Sequence, residues 1–261
     1  MKSDMRKFLC IYAAALLTSF SLSAQDVRTR LDQAKTLYNK GMYVTAEKEL
    51  DQIAASMTDH RSLLYSEVVA NKVMCAIALG RADMEGLLKN FENEFPADPQ
   101  LDMIKFSLGS YWFDNANYEP ALDVFNQIKT NHLYKSVRNE YYFKRGYCSM
   151  RVGNYEQSVQ DFSKVFKSSA NPYSTPSRYY CGYVHYLNKD FDRAFSCFEK
   201  TMKDKRFAAN SGYYACECRF MQKEYDYVID YGPDLYERLS PELKANLARM
   251  VSESYFATQD N

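Results

Sequence analysis

"NKGMYVTAEKELDQI", residues 39–53, returns along the chain with its spacing intact. It reappears as "DNANYEPALDVFNQI" (114–128), "RVGNYEQSVQDFSKV" (151–165) and "LNKDFDRAFSCFEKT" (187–201), and more weakly as "MQKEYDYVIDYGPDL" (221–235). Each copy puts an aromatic after a short polar turn, at Tyr43, Tyr118, Tyr155, Phe191 and Tyr225. A small residue follows three later (Ala46, Ala121, Ser158, Ala194), and a large one four beyond it (Leu50, Phe125, Phe162, Phe198). Ile53, Ile128 and Val165 continue the stripe along one helix face. The small residue lets two helices approach closely, and the large one fills the groove alongside. A degenerate copy around "ALGRADMEGLLKNF" (78–91) occupies the long first gap, with Ala82 near the place of the aromatic. One helix pair cannot bury its own stripe, so the pairs must stack.

This pattern resembles the tetratricopeptide repeat. The Leu-Gly pair of that family's first helix appears in "SLGSYW" as Leu108 and Gly109, with Trp112 three later, and Gly146 and Gly182 hold the same glycine position. "FPADP" (95–99) resembles the proline-bearing linker that closes a repeat. The resemblance covers nearly all of 27–261. It implies an all-α domain over 26–261, a right-handed superhelical solenoid of antiparallel helix pairs with five to six units. Two departures are notable: Ala34 and Cys216 replace the glycine in the first and last units, and Gly232-Pro233 is expected to interrupt the last second helix.

Ahead of the repeats, "MKSDMRK" supplies three positive charges, "FLCIYAAALL" an apolar stretch, and "TSFSLSA" a small-residue approach to a cut near Ala24/Gln25. This is the pattern of a secretory signal peptide, so residues 1–25 read as a leader and the mature chain as soluble, exported to the periplasm and without a membrane span. Cys10 is far from the cut, so no lipid attachment is expected. Basic and acidic residues balance at 33 each, which gives no overall pull toward nucleic acid. Cys75, Cys148, Cys181, Cys197, Cys216 and Cys218 lie among apolar or aromatic neighbours and read as mostly free, buried thiols, with Cys181 and Cys216 the pair to test for a bridge.

No phosphate loop, nucleophile elbow or zinc-protease motif is present. His60, His132 and His185 are far apart and lack partners at ligand spacing. The sulfurs of "CEC" (216–218) would point about 200° apart on a helix, so they do not suit one ion. The reading is a protein without catalytic residues, metal or cofactor.

The resemblance implies that the first helices line the inside of the superhelix. Its inner-facing positions fall on Phe143, Tyr147 and Met150, on Tyr179, Tyr183, Tyr186 and Leu187, and on Tyr213, Phe220 and Met221. Tyrosine suits a surface that is both apolar and hydrogen-bonding. The tyrosines Tyr147, Tyr179, Tyr183, Tyr186 and Tyr213 are therefore expected to stand partly exposed, lining a groove for a protein or peptide partner. The expected function is a non-catalytic periplasmic scaffold, in the manner of exported repeat proteins that assist cell-envelope assembly. The alternatives are the ectodomain of a membrane sensor and a glycan-binding repeat protein. Finally, Ser240-Pro241-Glu242 starts a helix, and "SESYFATQDN" (252–261) aligns with "LGSYWFDNAN" (108–117). That alignment predicts a further turn aromatic at position 262, in a longer protein.

Overall fold

The computed structural model describes residues 25–259, so the leader as far as Ala24 lies outside the described residues. Among the described residues there are thirteen α-helices and no strand. They follow one another as hairpins: α1 (25–39) with α2 (Tyr43–Ser56), α3 (Leu63–Ala78) with α4 (Met84–Glu94), and α5 (Gln100–Asp114) with α6 (Tyr118–Asn126). Then come α7 (Arg138–Arg151) with α8 (Tyr155–Lys167), α9 (Ser174–Leu187) with α10 (Phe191–Thr201), α11 (Ala208–Met221) with α12 (Tyr225–Tyr236), and α13 (Pro241–Gln259).

The hairpin turns share one device. Two residues before each turn aromatic the backbone takes a positive φ: Gly41 (76°), Ala116 (60°), Gly153 (83°), Lys189 (60°) and Lys223 (63°). This left-handed residue ends the first helix and reverses the chain. Alanine and lysine adopt it at a cost of about 1–2 kcal/mol that glycine avoids. The next helix is then capped where a suitable side chain exists, with Asn154 accepting from the Gln157 amide and Asp190 from the Arg193 amide.

The described residues form two compact units, one of 25–115 and 123–133, the other of 116–122 and 134–259. In the first, α2 is buried between α1 and α3: Ala46, Leu50 and Ile53 meet Leu31 and Ala34 on one side, Val68 and Cys75 on the other. Met84, Leu88 and Phe91 of α4 repeat that spacing against Ala70, Val73 and Ile77 of α3 and against Leu101, Ile104 and Leu108 of α5. Met84 thus stands where the other hairpins carry a small residue, and α4 begins later than its counterparts. Gly109 provides the closest approach, since a Cβ there would lie 2.6 Å from the Phe125 ring. The loop after α6 is tied back by Asp102, which accepts from the Lys129 amide at 3.1 Å and pairs with His132 at 2.6 Å.

In the second unit, Gly146 faces Phe162 and Gly182 faces Phe198. In the α11–α12 hairpin the close approach moves one turn, to Gly212 against Leu235, while Cys216 is buried at the expected glycine position. A polar clamp joins α7 to α8: Arg145 donates twice to the wholly buried Asp161, at 2.7 Å each, with Tyr141 and Tyr142 against its guanidinium. Contrary to expectation, α12 is not interrupted at Gly232-Pro233. Pro233 is exposed, and Gly232 is the contact point with α13, where a Cβ would sit 2.7 Å from Val251. The missing amide is tolerated because the packing of α12 on α13 holds the helix on both sides of it.

Candidate partner-binding face

Three first helices of the second unit, α7, α9 and α11, carry the aromatic positions. Their rings divide into two layers. Tyr180 and Tyr214 sit at corresponding places on α9 and α11 and plug the space next to the preceding hairpin. Tyr180 lies 6.2 Å from Phe162 and 4.9 Å from Tyr147, and Tyr214 stacks on Phe198 at 5.3 Å. Neither was among the candidate residues, because the inner positions were carried over from the repeat pattern and these two fall one residue beyond them.

Of the candidates, Phe143, Tyr147, Tyr183, Tyr186 and Phe220 are half-buried, and Leu187 and Met221 are exposed. Tyr183 and Tyr186 stack on one another at 6.2 Å, and each meets Tyr214, at 5.4 and 5.3 Å. Phe143 and Tyr147 form a second patch around Tyr180. Met150, Tyr179 and Tyr213, by contrast, are buried, at 8, 9 and 5% exposure. For the two tyrosines this corrects the expectation of partial exposure. Phe207, in the connection between α10 and α11, closes over Tyr179 at 4.9 Å, and α13 packs its Leu247 and Met250 into the cluster that holds Tyr213. Met150 fills space between helices, a role its unbranched thioether suits.

One polar residue belongs to the same surface. Glu217 on α11 is half-buried beside the phenols of Tyr186 and Tyr213, which favour its charged form. Burial pushes its carboxyl above the ordinary carboxylate range, opposed by the Tyr186 phenol, the Arg249 charge and the Tyr213 phenol. Burial raises the phenol of Tyr214 to about 12, and burial followed by the Glu217 charge raises Tyr186 and Tyr213. These phenols remain protonated donors at neutral pH. Sequence reasoning passed over Glu217 by selecting aromatic and apolar residues only.

The cysteines take other roles. Burial pushes the thiols of Cys75, Cys148, Cys216 and Cys218 up to about 12, so they are packing groups and not nucleophiles or ligands. Cys181 has Cys197 as its sulfur neighbour and not Cys216, and their mutual influence raises the Cys181 thiol and lowers that of Cys197. All six are free thiols. Among the described residues no group of three or more His, Cys, Asp or Glu side chains could hold a metal ion, and no helix is long and apolar enough to cross a membrane.

No protein-family model and no curated protein matches the chain. Solved structures do match. A Pseudomonas aeruginosa PilF structure covers 87% of this chain and 98% of its own at 11% identity, with a TM-score of 0.58. The apo form of RapI covers 89% and 75% at 12% identity, with a TM-score of 0.54. A tetratricopeptide repeat protein from Parabacteroides merdae covers 90% and 88% at 14% identity, with a TM-score of 0.51. At such identities the likeness is one of fold: the chain is built as tetratricopeptide-type helical hairpins.

Proposed function

We propose that this chain is a non-catalytic, periplasmic interaction scaffold that holds an extended protein segment against the α7–α9–α11 face of its second unit, in the service of cell-envelope assembly. The observation that carries the reading is the arrangement of Tyr147, Tyr183 and Tyr186. Each keeps part of its ring exposed while its other side is supported by a neighbouring ring, at 4.9, 5.4 and 5.3 Å. Rings pre-set in this way lose little side-chain freedom on binding, and aromatic anchors commonly dominate interface energy. The tetratricopeptide-type fold supports a protein partner. Export rests on the leader pattern of residues 1–25.

Changing Tyr183 and Tyr186 together to alanine tests the face. Crosslinking pull-down from the native envelope should recover a partner with the unaltered chain and lose it with the double variant, while the circular dichroism spectrum is retained. Equal recovery by both would refute the assignment. Fractionation of cells expressing the full chain tests location, and a cytoplasmic product that keeps its leader would refute export.

A further inference from the structure

Glu217 occupies the position that Tyr147 and Tyr183 hold on the preceding helices. The steps between them, 183 − 147 = 36 and 217 − 183 = 34, equal those between the turn aromatics Tyr155, Phe191 and Tyr225, 191 − 155 = 36 and 225 − 191 = 34. A carboxylate therefore replaces a ring on the last helix of the tyrosine face. It is half-buried beside the phenols of Tyr186 and Tyr213, yet among the described residues no cation lies within ion-pair distance of it. Arg249 of α13, whose charge it feels, is fastened to Glu253 by contacts of 2.9 and 3.0 Å and lies over the Phe220 ring at 5.9 Å. A half-buried carboxylate without a paired cation weakens a fold.

We propose that the partner segment presents a lysine or arginine, whose cation binds Glu217 between the phenols of Tyr186 and Tyr213 while its stem lies along Tyr183 and Tyr186. The assignment rests on the reading of this face as the docking surface and names the partner's chemistry. Charge complementarity selects the occupant. An acidic segment would be repelled, and a neutral sugar would leave the charge unpaired. The long aliphatic stems of lysine and arginine lie naturally on aromatic rings with the charged head extended.

Panning a display library of random linear peptides against the full chain tests both layers. The expected winners lose binding to the Tyr183→Ala/Tyr186→Ala variant and carry a lysine or arginine at one fixed register position. For a synthetic winner, Glu217→Gln should weaken binding by roughly ten- to a hundredfold, the range for a hydrogen bond to a charged group. Replacing the peptide's basic residue by glutamine should produce little further loss in the Glu217→Gln variant than that variant shows already. Affinity for the basic peptide should also fall with added salt. Winners that need the tyrosines but lack a basic residue, or ignore Glu217→Gln, overturn the role of Glu217 and leave the docking face intact. If no winner depends on the tyrosines, both readings fall. Glu217→Gln removes a half-buried charge without changing shape, so the variant should fold, and an unaltered circular dichroism spectrum checks it.

Discussion

Replacing Gly109 by alanine tests the helix contact on which the whole architecture depends. A Cβ at this position would lie 2.6 Å from Cε1 and 2.7 Å from Cδ1 of Phe125. Phe125 is wholly buried and has the Phe106 ring 6.3 Å away, so it has little room to yield. Restoring van der Waals separation requires a shift of roughly 1 Å, and overpacking of this kind costs about 1–3 kcal/mol. Against that, any glycine in a helix interior gains about 0.8–1.0 kcal/mol on becoming alanine. Gly86 supplies the reference: it lies in α4, is exposed, and has nothing within 4 Å of its would-be Cβ. Gly86→Ala should therefore stabilise by about 1 kcal/mol. The propensity gain has the same sign in both variants and largely cancels, although Gly86 lies in the first turn of α4, so the gap between them should approach the overpacking cost of about 1–3 kcal/mol. Both positions belong to the first unit, and urea unfolding followed by circular dichroism at 222 nm measures them in the same transition. A gap below about 0.5 kcal/mol, the scatter of a neutral surface change, would refute the close approach.

Asp161→Ala should destabilise the second unit by about 3–5 kcal/mol, because it leaves the Arg145 guanidinium paired with nothing inside the α7–α8 contact. Lys164→Ala, which removes an outer contact to the same carboxylate at 3.6 Å and an exposed ammonium over the Tyr142 ring at 4.6 Å, should cost no more than about 1 kcal/mol, and equal losses in urea titration would refute the clamp. Native alkylation near neutral pH should reach Cys197 first, since its thiol is lowered, and spare Cys75, Cys148, Cys216 and Cys218, which stay protonated until pH approaches about 12. Mass spectrometry showing any of those four modified as fast as Cys197 would contradict their burial. Glu217 binds its proton more tightly in the fold than in the unfolded chain, so its contribution is fully present below the ordinary 4.5 and is lost as pH rises through the raised value. Glu217→Gln should flatten that part of the melting-temperature profile, and identical profiles would refute it.

The turn aromatics, the small residues three beyond them and the large ones four beyond those were enough to place the hairpins. The reason is physical: a helix crossing constrains residue size at fixed spacing, and Gly109, Gly146 and Gly182 meet Phe125, Phe162 and Phe198 accordingly. The second hairpin was visible only as a degenerate copy around 78–91 in the long first gap, because its helix α4 uses Met84 where the others use a small residue. Pro233 misled because a proline's disruption is a local rule, whereas the contact of Gly232 with α13 is a distant one. The site was legible as a set of rings and not as a surface. Whether Tyr179 or Tyr183 faces outward depends on Phe207, in a connection that carries no repeat signal. Pattern matching selects residues that conform, so Glu217, a departure at a conforming position, was passed over.

The turns within hairpins and the connections between them differ in a way that bears on how such a chain can be altered. Apart from 79–83, the hairpin turns, 40–42, 115–117, 152–154, 188–190 and 222–224, share one length, each built on its left-handed residue. The connections vary, from 237–240 to the much longer 127–137. An inserted codon in 188–190 would rotate α10 against α9 and break the meeting of Gly182 with Phe198, while one in 203–206 would lengthen a largely exposed connection outside that contact. Genetic drift in length, epitope tags and grafted loops should therefore collect between hairpins, and the hairpin is the smallest piece that can be duplicated or exchanged whole.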